Sequence, residues 1–113
     1  MADIIYVNVE EGVKRVMNNS KLYAKLLVKF KEDSNLKSMK EVLKAGDLQK
    51  AQANAHTLKG LAANLSLTEL YKHVLEIETQ IKAGSVNPDQ LTALEEINEH
   101  TLAEVEKVIA QYG

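Results

Sequence analysis

Residues 55–65 read Ala55-His56-Thr57-Leu58-Lys59-Gly60-Leu61-Ala62-Ala63-Asn64-Leu65. Taken as a helix advancing about 100° per residue, Leu58, Leu61, Ala62 and Leu65 fall on one side and form a core stripe. His56 points almost directly away from that stripe. Lys59, Gly60 and Ala63 follow it at i+3, i+4 and i+7 and share its outer face, and Gln52 joins them from one turn before. The pattern predicts a solvent-facing imidazole with an ammonium beside it and almost no side-chain bulk on its other flank. Glycine inside a helix costs roughly 1 kcal/mol relative to alanine, so Gly60 calls for a reason.

The residue types suit one chemistry. A neutral imidazole is a nucleophile near pH 7, because its unperturbed pKa is about 6.5. It can take a phosphoryl group on a ring nitrogen, and phosphoryl transfer is mostly positioning plus charge neutralisation. An ammonium one turn along can reach the oxygens of the transferring group. A missing side chain at i+4 leaves room for another protein's active site to close over the ring. A surface histidine by itself is usually only that; the lysine and glycine at matched offsets set His56 apart.

At these residues the chain resembles the histidine-containing phosphotransfer (HPt) domains of two-component phosphorelays. The resemblance lies in His56-Thr57-Leu58-Lys59-Gly60, with Ala55 before it and Ala62-Ala63-Asn64-Leu65 after it. It extends to Asn8-Val9-Glu10-Glu11-Gly12, the run from Leu22 to Phe30, and the Ala45-Gly46-Asp47 corner. It implies that His56 carries the phosphoryl group, Lys59 steadies it and Gly60 clears space. The partners it implies are a response-regulator receiver domain and a hybrid sensor histidine kinase. No cofactor of its own is implied, Mg²⁺ coming from the receiver. The chain departs from the family pattern at Leu61, at Ala63 and at Ser66, where glycine often closes the motif. Leu61 is expected to alter core packing only, and Ala63 to narrow the partner's approach slightly.

Composition bounds the remaining possibilities. A chain of 113 residues is enough for one domain, 1–113, with a single core. A net charge of -2 with no basic cluster argues against nucleic-acid binding. There is no cysteine, hence no disulfide and no zinc-thiolate site. No apolar run approaches the roughly 20 residues that span a membrane. Met1-Ala2-Asp3-Ile4-Ile5-Tyr6 lacks the basic region of a signal peptide. The expected setting is therefore cytoplasmic. One proline and five glycines among many Leu, Ala, Lys and Glu favour an all-α chain.

The expected elements follow from periodicity and capping. Asn8, with Glu11 as its capping-box partner, opens a short helix with Val9, Val13, Val16 and Met17 on its apolar side. Ser20 caps a helix bearing Leu22, Tyr23, Leu26, Leu27 and Phe30. Leu36, Met39, Val42 and Leu43 resume the stripe up to Gly46, predicting a long second element bent near residues 32–35. Asp47 caps the His56 helix. Ser66-Leu67-Thr68-Glu69 reads as a capping box before the seam Leu67, Leu70, Val74, Ile77, Ile81. Asn87-Pro88-Asp89-Gln90 reads as another, before a last helix burying Leu91, Leu94, Ile97, Leu102, Val105, Val108 and Ile109. Short links favour antiparallel neighbours. The expected architecture is an antiparallel up-and-down four-helix bundle with a short amino-terminal helix packed on one end.

Other constellations are weaker. His73 and His100 each follow a glutamate by one turn, Glu69 and Glu96, which predicts at most an i, i+4 contact. A carboxylate-bridged metal bundle needs Glu-x-x-His, but Leu70 and Ile97 stand three before these histidines, so no metal site is expected. Glu95, Glu96, Glu99, Glu104 and Glu106 read as a solvated face, and Lys21, Lys25 and Lys29 as solubilising charges. No glycine-rich nucleotide loop is present, so autonomous kinase activity is not expected. Two functions remain: a phosphorelay carrier using His56 and Lys59, with Gln52, Gly60 and Ala63 meeting the partner, or a helical module that docks a receiver or kinase domain without being phosphorylated.

Overall fold

The computed structural model describes residues 4–113. Met1, Ala2 and Asp3, which begin the amino-terminal stretch read above, lie outside them. The described residues form helices α1 (Val9–Arg15), α2 (Ser20–Lys31), α3 (Asn35–Lys44), α4 (Leu48–Asn64), α5 (Thr68–Lys82) and α6 (Pro88–Tyr112), and no strand. The all-α architecture and its short amino-terminal helix are as expected. The second element is not one bent helix: residues 32–34 separate α2 from α3. Asp33 explains the break, since its carboxylate accepts from the Asn35 backbone N–H at 3.0 Å and from the Asn35 side-chain amide at 2.7 Å. This local bonding competes with a continuous helical ladder.

The two helices have different neighbours. α3 packs on α4, α4 on α5, α5 on α6, and α6 returns to α2. The links 45–47 and 65–67 are three residues each. Three residues span only about 10–14 Å, while α4 is about 25 Å long at 1.5 Å per residue. α4 therefore runs antiparallel to both of its neighbours. Ion pairs join half-buried Lys40 to Glu95 at 2.9 Å and exposed Lys31 to Glu106, so two members of the expected solvated acidic face reach across to other helices. Surface pairs of this kind are worth under about 1 kcal/mol each.

The core runs through Tyr23, Leu27, Phe30, Met39, Leu58, Leu70, Val74, Ile77, Leu94 and Val105. Three expectations shift. Met17 is 90 % exposed and lies past the end of α1 with φ +58°, so it is no part of an apolar side. Leu61 is only half-buried, at the rim of a hollow with Val16, Leu26 and Phe30. Leu22 is 40 % exposed. α1 instead buries Gly12 against the ring of fully buried Tyr23. The Tyr23 hydroxyl donates to the Leu65 carbonyl at 2.6 Å. Burial, with the charge of Glu11, pushes this phenol up to about 12, so it remains a donor.

The caps also differ from the expected boxes. Asn19, not Ser20, caps α2, accepting from the Leu22 N–H at 3.0 Å. Asn8 does cap α1 through the Glu11 N–H at 3.2 Å, but the Glu11 carboxylate does not close the box; it accepts from the Ser66 hydroxyl at 2.9 Å. Ser66 opens no helix. It has φ +58° and ends α4, with Ser66 N–H bonding Ala63 O and Leu67 N–H bonding Ala62 O. That is the left-handed closing position usually held by glycine, and the N-cap of α5 is Leu67. Asn87 caps α6, but its own N–H is met by Gln80 at 2.8 Å rather than by Gln90.

Candidate functional site

The site is built on α4. Asp47 fixes its start by accepting from the Lys50 N–H at 3.0 Å. Fully buried Ala51, Ala55 and Ala62, with Leu58, form its inner face, and their small side chains let α3 and α5 approach closely. The opposite face carries His56, whose side chain is 74 % exposed. Gly60 lies one turn further, and a Cβ built there meets nothing within 4 Å. Ala63 and Gln52 are half-buried. Ala63 borders a hollow with Glu11, Arg15, Ser66, Tyr71 and Lys72. Gln52 makes no side-chain hydrogen bond among the described residues.

Lys59 is not a free cation. Its Nζ lies 2.6 Å from Oε1 of Glu78, on α5, and it is only 22 % exposed. The other carboxylate oxygen of Glu78, Oε2, is 3.3 Å from Nδ1 of His56. One carboxylate thus touches both residues singled out on α4. Glu78 is 2 % exposed. Burial pushes its carboxyl up, but the hydrogen bond and charge of Lys59, the charge of Lys82 and the His56 contact outweigh burial and hold it below its ordinary value. Glu78 is therefore ionised at neutral pH and can only accept hydrogen bonds.

That fixes the ring. If Glu78 only accepts, Nδ1 of His56 must carry the proton. The neutral imidazole then has its lone pair on Nε2, for which no hydrogen-bond partner is found among the described residues. The arrangement presents a nucleophilic nitrogen to solvent, a lysine one turn away, and clear space over Gly60.

Sequence periodicity does not single out Glu78. The signal is there in hindsight: Glu78 stands four after Val74 and three before Ile81, both seam residues, and an acid on an apolar stripe needs partners. The other histidines do something else. His73 Nδ1 meets the Glu69 backbone carbonyl at 3.0 Å rather than its carboxylate. His100 stacks on Tyr6 with ring centroids 5.3 Å apart, not on Glu96. Among the described residues, no group of three or more His, Cys, Asp or Glu is placed to hold a metal ion, and no helix is long and apolar enough to cross a membrane.

A family model described as Hpt domain matches residues 25–110. The chain belongs to the Hpt family. Hpt domains are helical bundles that act as histidine-containing carriers in two-component phosphorelays and are not themselves kinases; they interact with receiver domains and kinases. The Hpt match includes all of α3 to α5 and α6 as far as Ala110, and with them His56, Lys59, Gly60 and Glu78. It begins at Lys25, so the likeness read in Asn8–Gly12 lies outside it. No curated protein and no solved structure gives a significant match to this Hpt chain.

Proposed function

We propose that this protein accepts a phosphoryl group on Nε2 of His56 and exchanges it with the aspartate of a receiver domain, after loading by a receiver or a hybrid sensor kinase. The observation that carries this reading is the Glu78 contact to Nδ1, which leaves Nε2 as the open nucleophile of an exposed ring. In-line attack on an acyl phosphate needs that lone pair, an approach free of bulk, and a cation for the phosphoryl oxygens. His56, Gly60 and Lys59 supply these in turn. Gln52 and Ala63 lie along the same helix face, where an incoming receiver would rest. Mg²⁺ and the acid pocket that holds it would come from the receiver.

The test is incubation with a phosphorylated receiver domain, followed by analysis of the label on this chain. Acid-labile, alkali-stable label that is absent from His56→Gln is expected. Binding of the receiver with no label on His56 would replace this reading with that of a docking module.

A further inference from the structure

Resting on the proposed phosphoryl carriage, we propose that Glu78 is a positioning residue that changes partners during transfer: it releases Lys59 to the phosphoryl group and takes the His56 imidazolium in its place. The starting point is the geometry of one carboxylate. Its two oxygens are divided between Lys59 Nζ at 2.6 Å and His56 Nδ1 at 3.3 Å. The lysine contact is short; the imidazole contact is long. While the ring is neutral, Lys59 is the only full positive charge bonded to this buried acid among the described residues.

The transfer step changes that balance. The Nε2 lone pair forms the N–P bond as the acyl O–P bond of the receiver breaks, and the leaving electron pair stays on the receiver carboxylate. The ring keeps its Nδ1 proton and becomes a cation, bearing a phosphoryl dianion on Nε2. No proton enters or leaves. A cationic ring now faces Glu78, so that contact tightens. The phosphoryl oxygens offer Lys59 a second anion one helical turn away. One ion pair becomes two, and Glu78 has a cationic partner before and after. In the reverse step the N–P electron pair returns to Nε2, the ring is neutral again, and Lys59 falls back to Glu78. Glu78 on α5 is the charged group that bonds the ring; Lys59 on α4 bonds Glu78, and the charge of Lys82 on α5 acts on Glu78. No group from α3 bonds the ring among the described residues.

The test uses potassium phosphoramidate, a small donor that modifies imidazole without a receiver, so the outcome does not depend on whether a receiver transfers. Histidine and lysine side-chain nitrogens are followed by NMR before and after modification, in wild type, Glu78→Gln and Glu78→Asp. In the unmodified protein the Lys59 ammonium signal should shift on Glu78→Gln. After modification it should report the phosphoryl group and become insensitive to that substitution. The modified His56 ring should hold its Nδ1 proton to higher pH in wild type than in Glu78→Gln, by one unit or more, a tenfold change in proton affinity. Glu78→Asp should recover part of that difference. Should Glu78→Gln lose its fold, the wild-type Lys59 signal still decides: it must change environment on modification. An unchanged Lys59 signal, or ring titrations that coincide in wild type and Glu78→Gln, would overturn the proposal. So would failure of phosphoramidate to modify His56, because an open Nε2 is its premise.

Discussion

Lys59 and Glu78 join α4 to α5 through a 2.6 Å contact in which the acid is 2 % exposed. The lysine that would steady a phosphoryl group is thus also the partner that makes a buried carboxylate tolerable. Lys59→Ala should therefore do more than slow transfer. Removing the lysine leaves the buried Glu78 carboxylate with only its 3.3 Å contact to the neutral His56 ring and no cation bonded to it among the described residues, at a cost of about 2 kcal/mol. Urea unfolding of Lys59→Ala should show that loss, and transfer from a phosphorylated receiver should slow by about tenfold or more. Full stability with slowed transfer would mean that Glu78 is satisfied without the lysine.

The same pair sets a pH dependence. Because the Glu78 carboxyl is held below its ordinary value in the folded protein, it binds a proton less readily when folded than when unfolded. Its contribution is complete above the unfolded-state pKa, about 4.3, and is lost as pH falls through the folded value. Wild type should be more stable than Glu78→Gln at pH 7, and the gap should narrow steadily on acidification below about pH 4. Parallel stability curves across that window would show that ionised Glu78 adds nothing.

Gly60 should separate folding from docking. A Cβ there meets nothing within 4 Å, so Gly60→Ala should stabilise the helix by about 0.5 to 1 kcal/mol. Side chains at this place project beside His56, and misplacement of a reacting group by about 1 Å can cost on the order of a hundredfold in rate. Transfer should fall in the order Gly, Ala, Gln, Glu while melting temperature rises or stays level. A flat transfer series would mean that no partner closes over this face.

Gly12 has the opposite environment. A Cβ there would lie 2.5 Å from Tyr23 Cζ and 2.7 Å from its hydroxyl, and Tyr23 is fixed by its bond to Leu65. Gly12→Ala should destabilise by roughly 1 to 3 kcal/mol through overpacking, despite the better helix propensity of alanine. An increase in melting temperature would show that α1 shifts freely.

Ser66 is held in the left-handed region by the α4–α5 corner and bonds Glu11 through its hydroxyl. Ser66→Ala loses the bond and keeps the strain; Ser66→Gly loses the bond and relieves about 1 kcal/mol of strain. Thermal unfolding should rank alanine clearly below wild type and glycine close to it. Equal losses would mean that the hydroxyl, not the backbone, decides.

Helical periodicity reads α4 and α5 well because Leu58, Ala62, Leu70, Val74, Ile77 and Ile81 recur at helical spacing and are buried. It fails where two local rules compete. Ser66-x-x-Glu69 has the spacing of a cap, but with only three residues between α4 and α5 the turn takes Ser66 to finish the earlier helix. Residues 32–35 look like a kink by periodicity, while the Asp33 side chain ends the ladder outright. At the candidate site, His56 and Gly60 are legible because exposure is what a one-helix projection predicts. Glu78 is not, because its position depends on a second helix, and acids on a helix are sorted by default to the solvent side.

The ties at the end of α4 bear on the order of folding. Asn8 N–H bonds the Ser66 carbonyl at 2.9 Å, and Thr68 Oγ1 donates to the Ile5 carbonyl at 2.5 Å. These contacts close a loop of about 60 residues, which costs roughly 3 to 4 kcal/mol in chain entropy. The α4–α5 hairpin, whose contacts are local, has no such cost to meet before it packs. The amino-terminal segment can recognise the corner only once that corner exists, so it joins late. Substitutions in the Ile5–Asn8 strap should speed unfolding and leave the folding rate nearly untouched, whereas changes at the α4–α5 seam should slow folding itself.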